Sequence, residues 1–184
     1  MKTLANELSS PLSWLFTLSY NTGNIPEDWR QSNVTPIYKG QGSRHSVSNY
    51  RPISITVVAC RIMEAIVRES ISGFLASNNL LTPHQYGFRT GRSTATQLID
   101  TLNDWTQSLD HGVGVDCIYL DFSKAFDKLP HCMLLTKLAA YGLHLTTVNW
   151  IRAFLHDRKQ KVKLSSSVSD YIVCSSGVPQ GSVL

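Results

Sequence analysis

Residues 113–131 read Val-Gly-Val-Asp-Cys-Ile-Tyr-Leu-Asp-Phe-Ser-Lys-Ala-Phe-Asp-Lys-Leu-Pro-His. The run starts apolar, with β-branched and aromatic members, and predicts a buried strand. It ends on a carboxylate, Asp121, with Phe126 and Asp127 shortly after it. Strand side chains alternate faces, so Val115, Cys117, Tyr119 and Asp121 are expected on one side. An acid at the end of an apolar strand is costly to bury unless a cation, a hydrogen-bond network or a metal ion compensates it. Taken alone, Asp121 reads as a strand-terminating residue that caps the next segment.

Helices are expected on both sides of this strand. Upstream, Ser93 is a good N-cap. Ala95, Leu98, Ile99, Leu102, Trp105 and Leu109 then share one helical face up to a stop at Gly112. Downstream, a helix is predicted over about 131–141, ending at Gly142. Another spans about 147–157, with Val148, Ile151, Phe154 and Leu155 inward. Residues 160–164 and 168–174 alternate around Ser165-Ser166-Ser167 and predict a hairpin. The chain finishes on Gly177-Val178-Pro179-Gln180-Gly181-Ser182-Val183-Leu184. This reads as a tight approach to a new helix with Ser182 in its first turns, and the sequence stops as if within a domain.

Towards the N-terminus, residues 11–20 predict an amphipathic helix, with Leu12, Leu15, Phe16 and Leu18 on its apolar side. It ends at the turn cluster 21–24. Residues 25–30 are expected extended. A short strand follows at 34–38, where Pro36 favours an edge position. Polar residues 39–49 form a loop or hairpin tip, and 50–55 return extended. The clearest helix is 56–77. Met63, Ile66, Val67, Ser70 and Phe74 have its inward spacing, with Arg61, Glu64, Arg68 and Glu69 opposite and a Glu64–Arg68 pair. Residues 80–92 are irregular. Without a regular βαβ alternation the fold class is α+β.

With 42% hydrophobic and 16% charged residues, the 184-residue chain is globular rather than disordered. A net charge of +4 is compatible with a nucleic-acid partner but does not demand one. No two of the four cysteines form a C-x-x-C pair, so no zinc site is signalled. Cys60 and Cys117 sit in apolar surroundings and are expected as reduced core residues, which favours an intracellular location, nucleus or cytoplasm. Residues 11–20 are too short to span a bilayer, and no small-residue cleavage site follows them.

Four segments carry candidate chemistry. Lys39 and Arg51 flank a polar hairpin and suit a polyphosphate clamp; the alternative is two solvated surface cations. Residues 85–93, Gln-Tyr-Gly-Phe-Arg-Thr-Gly-Arg-Ser, place Arg89 and Arg92 among glycines and aromatics. Such a segment suits a nucleic-acid backbone, or serves only as a Gly-rich connector to a capped helix. The third is the Asp121 segment. The fourth, Gly177 to Ser182, is alternatively a turn built of turn-prone residues. Their order along the chain is more specific than any one of them.

Ile-Pro-Glu-Asp-Trp-Arg at 25–30, Tyr-Arg-Pro-Ile-Ser at 50–54, Tyr-Gly-Phe-Arg-Thr-Gly-Arg-Ser at 86–93, Leu-Asp-Phe-Ser-Lys-Ala-Phe-Asp at 120–127 and the terminal octapeptide occur in that order. Together they make the chain, from about Glu7 to Leu184, similar to the reverse transcriptase domain of non-LTR (LINE-type, jockey-like) retrotransposons. Group II intron maturases share similar pieces, but the Gly-Val-Pro-Gln-Gly-Ser-Val-Leu form resembles the retrotransposon branch more.

The resemblance implies an RNA-directed DNA polymerase with a right-hand fold. Residues 1–112 would form an N-terminal helix and fingers and 113–184 the first part of an incomplete palm, with no thumb, within one partial domain, 1–184. It implies that Asp121 is the first catalytic aspartate and a magnesium ligand, joined by the backbone carbonyl of Phe122. Phe126 would pack under the incoming sugar. Lys39 and Arg51 would grip the nucleotide triphosphate. Gln180 and Gly181 would line the nucleotide pocket, and Arg89 and Arg92 would lie near template RNA. Asp127 has no metal role in this match and is expected as a local cap or salt-bridge partner. The implied partners are an RNA template, a DNA primer and dNTPs, with no membrane, and the implied cofactor is Mg2+. The sequence departs from the family in one respect: no Asp-Asp dipeptide occurs in it. One carboxylate does not hold two magnesium ions, so the isolated chain is expected to be inactive and to bind magnesium weakly. An RNA-binding module and a catalytically dead relic are the alternatives.

Overall fold

A computed structural model describes residues 4–184. Its elements run α1 (Ala5–Thr22), a 3₁₀ turn (Glu27–Trp29), β1 (Gln31–Tyr38), a second 3₁₀ turn (Val47–Asn49), β2 (Tyr50–Ile55), α2 (Val58–Ser77) and α3 (Thr94–Asp110). They continue with α4 (Ala125–Lys128), α5 (His131–Ala140), α6 (Leu145–Leu155), β3 (Lys159–Leu164), β4 (Ser167–Val168) and β5 (Ile172–Val173). The mixed α and β content agrees with the expected class. The chain divides into two compact units: the described residues up to Phe74 with Lys124–Leu184, and Leu75–Ser123.

The first unit contains the sheet, ordered β2-β1-β3-β4, with β5 also on β3. β1 and β2 form an antiparallel hairpin, whereas β1 and β3 run parallel. The expected hairpin around Ser165-Ser166-Ser167 is present, with Leu164 opposite Ser167 and Lys159 opposite Val173. Pro36 lies past Val34, where the β3 pairing of β1 ends, so it occupies a locally open edge.

The core of this unit joins α1, the 27–29 turn, α2 and α6 through Phe16, Trp29, Cys60, Met63, Val67, Trp150 and Phe154. Trp150 stacks on Phe154 with ring centroids 5.2 Å apart, and its indole N–H donates to Ser19 Oγ at 3.2 Å. That bond satisfies the one polar atom a buried tryptophan carries into a core. α1 stops at Gly23, whose φ of +68° closes the helix in the left-handed conformation as expected.

Several expectations are corrected here. On α1 the inward residues are Phe16 and Ser19, and Leu18 is exposed. Positions 12, 15, 16 and 19 fit one helical face better than 18 does. Residues 27–29 form a 3₁₀ turn rather than a fully extended piece, which lets Ile25 and Trp29 both reach the core. On α2, Ile66 and Ser70 face outward, whereas Glu64 is fully buried. Glu64 is engaged inside the fold, so no Glu64–Arg68 ion pair forms. No helix forms at 177–184; the segment is a series of turns.

The second unit holds the end of α2, irregular residues 78–92, α3 and the segment 113–123. Ser93 caps α3 as expected: its hydroxyl accepts from the Thr96 amide, and the Thr96 hydroxyl accepts from the Ser93 amide. The expected apolar face of α3 is present but uncovered, with Leu98, Ile99, Leu102 and Leu109 exposed. The predicted strand at 113–121 does not form. Ile118 is 83% and Leu120 91% exposed, and Cys117 is exposed rather than a core residue. A strand needs a neighbouring ladder for its amides, and an apolar strand needs cover on its faces. None of the described strands pairs with this segment.

Candidate nucleotide and nucleic-acid site

The β1–β2 hairpin decides where two of the predicted cations stand. Ile37 pairs with Arg51 and Tyr38 with Tyr50, and the Lys39 amide donates to the Asn49 carbonyl at 2.8 Å. In an antiparallel ladder this places Lys39 and Arg51 as diagonal neighbours on one face. The opposite face is the buried one, carrying Ser32, Val34 and Ser54. Both cations are therefore exposed. Lys39 Nζ donates to the Ser48 carbonyl at 2.7 Å, and the Arg51 guanidinium makes no hydrogen bond or ion pair among the described residues. The same register pairs Pro36 with Pro52 at a position whose ring nitrogens point away from the partner strand, so neither removes a ladder bond.

The segment at 177–184 docks on this hairpin. The Ser54 amide, which points outward from β2, donates to the Gln180 carbonyl at 2.7 Å. Gly181 has φ +93°, and a Cβ there would lie 2.9 Å from Ile53 Cγ2. At the other end, the Val178 amide donates to the Phe126 carbonyl at 2.8 Å and the Gly177 amide to the Leu129 carbonyl at 2.8 Å. His131 Nε2 lies 2.7 Å from the Gly177 carbonyl. A Cβ on Gly177 would sit 2.5 Å from the Phe126 carbonyl oxygen. Gly177 is required by its positive φ and by backbone approach, Gly181 by its positive φ and by the Ile53 side chain. Phe126 on α4 thus reaches the segment through its main chain. Asp127 is not the expected cap or salt-bridge partner: its carbonyl accepts from Ser176 Oγ at 3.0 Å, and its carboxylate forms no ion pair.

Beneath the docked segment lies a polar cavity of about 330 Å³, lined in part by Ser32, Ser54, His131, Arg158, Gln160 and Gln180. Arg158 is buried, donates to the carbonyls of Trp29 and Phe154 at 3.1 and 3.3 Å, and leaves Nη2 without a hydrogen-bond partner. Desolvation lowers its pKa, opposed by the charge of nearby acidic groups that include Glu64. Burial, then the Glu64 carboxylate, pushes the Cys60 thiol far above its ordinary range. Cys60 Sγ donates to Glu64 Oε1 at 3.1 Å. Neither Glu64 nor Arg158 stood out in the sequence. The signal for Glu64 was its spacing: 60, 63, 64 and 67 are the buried positions of α2 and form one helical stripe.

In the second unit, Arg89 and Arg92 are tied into the irregular segment. Arg89 Nη1 donates to the Thr82 carbonyl at 2.8 Å, and the Arg92 guanidinium lies 4.8 Å from the centroid of the Tyr86 ring. The Tyr86 hydroxyl donates to Asp100 on α3, and that bond raises the pKa of the phenol. The loop is fastened to the helix it precedes, with Arg92 exposed and Arg89 half-buried. Asp121 and Phe122 are exposed in the same unit, and the Asp121 carboxylate has no hydrogen-bond or ion-pair partner among the described residues. Three or more metal-binding side chains gather nowhere among the described residues. One carboxylate and one carbonyl fall short of the oxygen shell magnesium requires.

The family described as reverse transcriptase (RNA-dependent DNA polymerase) matches residues 37–184. The chain belongs to this reverse transcriptase family. The match includes Lys39, β2 with Arg51, the Arg89–Arg92 loop, Asp121 and the docked terminal segment. Curated relatives include three from Drosophila melanogaster. The probable RNA-directed DNA polymerase from transposon BS is 28% identical over 87% of this chain and 18% of its own length. That from transposon X-element is 25% identical over 100% of the chain and 20% of its own length. The RNA-directed DNA polymerase from mobile element jockey is 26% identical, also over 100% and 20%. The reverse transcriptase chain thus spans about a fifth of the length of these relatives. No helix among its described residues is long and apolar enough to cross a membrane.

Proposed function

We propose that this chain is the nucleotide-gripping and template-gripping part of a non-LTR retrotransposon RNA-directed DNA polymerase, comprising the fingers and the first part of the palm. The observation that carries the reading is the docking of Gln180 and Gly181 on β2, the strand that also bears Arg51. Nucleotidyl transfer joins a primer 3′-hydroxyl to the α-phosphorus of a dNTP and releases pyrophosphate. The protein mainly positions the reactants and supplies charge. Arg51, by its fork, and Lys39, as a point charge, meet the triphosphate. Gly181, lacking a Cβ, permits a close approach at the pocket wall. Phe126 packs beneath the sugar and disfavours a 2′-hydroxyl. Arg89 and Arg92 neutralise template phosphates. In the complete polymerase, Asp121 and the Phe122 carbonyl would supply part of the oxygen shell of magnesium, which would add positive charge beside the triphosphate.

On this reading the 184-residue chain alone does not polymerise, because Asp121 is the single carboxylate with a metal role and the Asp-Asp dipeptide is absent. Primer extension on an RNA template with magnesium and dNTPs tests this. No incorporation is expected, and robust incorporation by the pure chain would contradict it. The RNA-binding module remains the second reading, favoured by the fastening of the arginine loop to α3 through Tyr86 and Asp100. Its mark is salt-dependent RNA affinity without nucleotide binding.

A further inference from the structure

We propose that Glu64 is a positioning residue for the nucleotide pocket, acting through the backbone beyond Gln180 and Gly181; this rests on the reading of those two residues as pocket residues. Glu64 lies in the second turn of α2 and is completely buried. Its Oε2 accepts from the amides of Val183 and Leu184 at 2.8 and 3.2 Å, and its Oε1 from the Cys60 thiol at 3.1 Å. A buried carboxylate is costly unless it is fully used, and here both oxygens are occupied.

The terminal segment is thereby fixed at three places. α4 and the residue after it hold Gly177 and Val178, Ser54 holds the Gln180 carbonyl, and Glu64 holds the two amides after Ser182. Between the last two anchors stands Gly181 at φ +93°, inside a turn closed by the Ser182 amide on the Pro179 carbonyl at 3.2 Å. Loss of the Glu64 anchor leaves that turn held from one side only. Arg158, whose charge interacts with Glu64, lines the same cavity as Gln180.

Backbone amide exchange on the intact chain tests this without any chemistry. In the wild type, the Val183 and Leu184 amides should exchange about 10- to 100-fold more slowly than the open Gly40 amide, as hydrogen bonds to a charged acceptor allow. Fully unprotected amides at both positions would overturn the proposal, even if Glu64→Gln failed to fold. In folded Glu64→Gln, exchange should rise at 180–184 and stay unchanged at Thr35 and Ile37 in the hairpin. The exposed control Glu69→Gln should change neither. The binding arm reads dNTP and RNA affinity side by side. Glu64→Gln should weaken dNTP binding about tenfold and leave RNA affinity unchanged, whereas equal losses would indicate general destabilisation and contradict a positioning role. If the wild type binds no dNTP, the pocket reading of Gln180 falls, and the exchange comparison still decides whether Glu64 holds the turn.

Discussion

The amide of Ser54 donates to the carbonyl of Gln180 at 2.7 Å, so the edge of β2 holds the terminal segment by a main-chain bond that no side chain encodes. Ser54 faces Val34 at a position where its amide turns away from β1, leaving it free for this use. Ser54→Pro removes the donor and spares the β1 ladder. It should destabilise the chain by about 1 kcal/mol, measured as a shift in urea midpoint. An undiminished midpoint would mean that the bond contributes nothing.

The two glycines of the segment should differ in severity from an ordinary loop glycine. Gly177→Ala drives a Cβ to 2.5 Å from one backbone oxygen and 2.6 Å from another, and backbone does not yield as a side chain does. Gly181→Ala meets Ile53 Cγ2 at 2.9 Å, the end of a side chain that can shift. Gly40→Ala has the same unfavourable sign of φ with open space around it. Losses of stability should rank Gly177, then Gly181, then Gly40, with Gly40 near 1 kcal/mol. Urea denaturation of the three variants checks the order.

Cys60 makes stability pH-dependent at the alkaline end. Its ordinary value is 9.0, and burial raises the folded-state pKa well above it. A thiol with a raised folded-state pKa contributes stability that is complete below the unfolded value and is lost as pH rises beyond it. Folding stability should decline above about pH 9, and Cys60→Ala should flatten that decline. Alkylation of the native chain at pH 8 should modify the exposed Cys117 and Cys132 and spare Cys60.

RNA affinity should fall with salt, since Arg92 is exposed and Arg89 half-buried on a fastened loop. Arg89→Ala and Arg92→Ala should each weaken binding across sequences and lower the salt slope by about 1. Arg92→Ala has a second consequence, because it also removes the cation over Tyr86. A salt-independent affinity, or one indifferent to both substitutions, would count against a template role.

Local chemistry was legible in the sequence. Gly23 and Gly142 stop their helices at positive φ, Ser93 caps α3, and the serine run turns the β3 hairpin. The inward residues of α6, Val148, Ile151, Phe154 and Leu155, were read from spacing alone. What escaped depends on partners distant in sequence. Glu64 looked like a solvent-face acid because its acceptor role is met by amides about 120 residues away. The run at 113–121 has the composition of a strand, yet composition supplies no neighbour, and without a paired ladder Ile118 and Leu120 stay exposed. Of the candidate site, the hairpin cations, Phe126 and the glycine segment come together in one unit, while Asp121, Phe122, Arg89 and Arg92 lie in the other.

Nucleotide binding by the isotopically labelled chain, followed residue by residue in solution, tests the central claim most directly. Titration with a dNTP should move the signals of Lys39, Arg51, Gln180 and Gly181 together, and Arg51→Ala should weaken the binding about tenfold, as loss of a charge-assisted contact does. Shifts confined to other residues, or binding unaffected by Arg51→Ala, would contradict the assignment of this hairpin and its docked segment as a nucleotide grip.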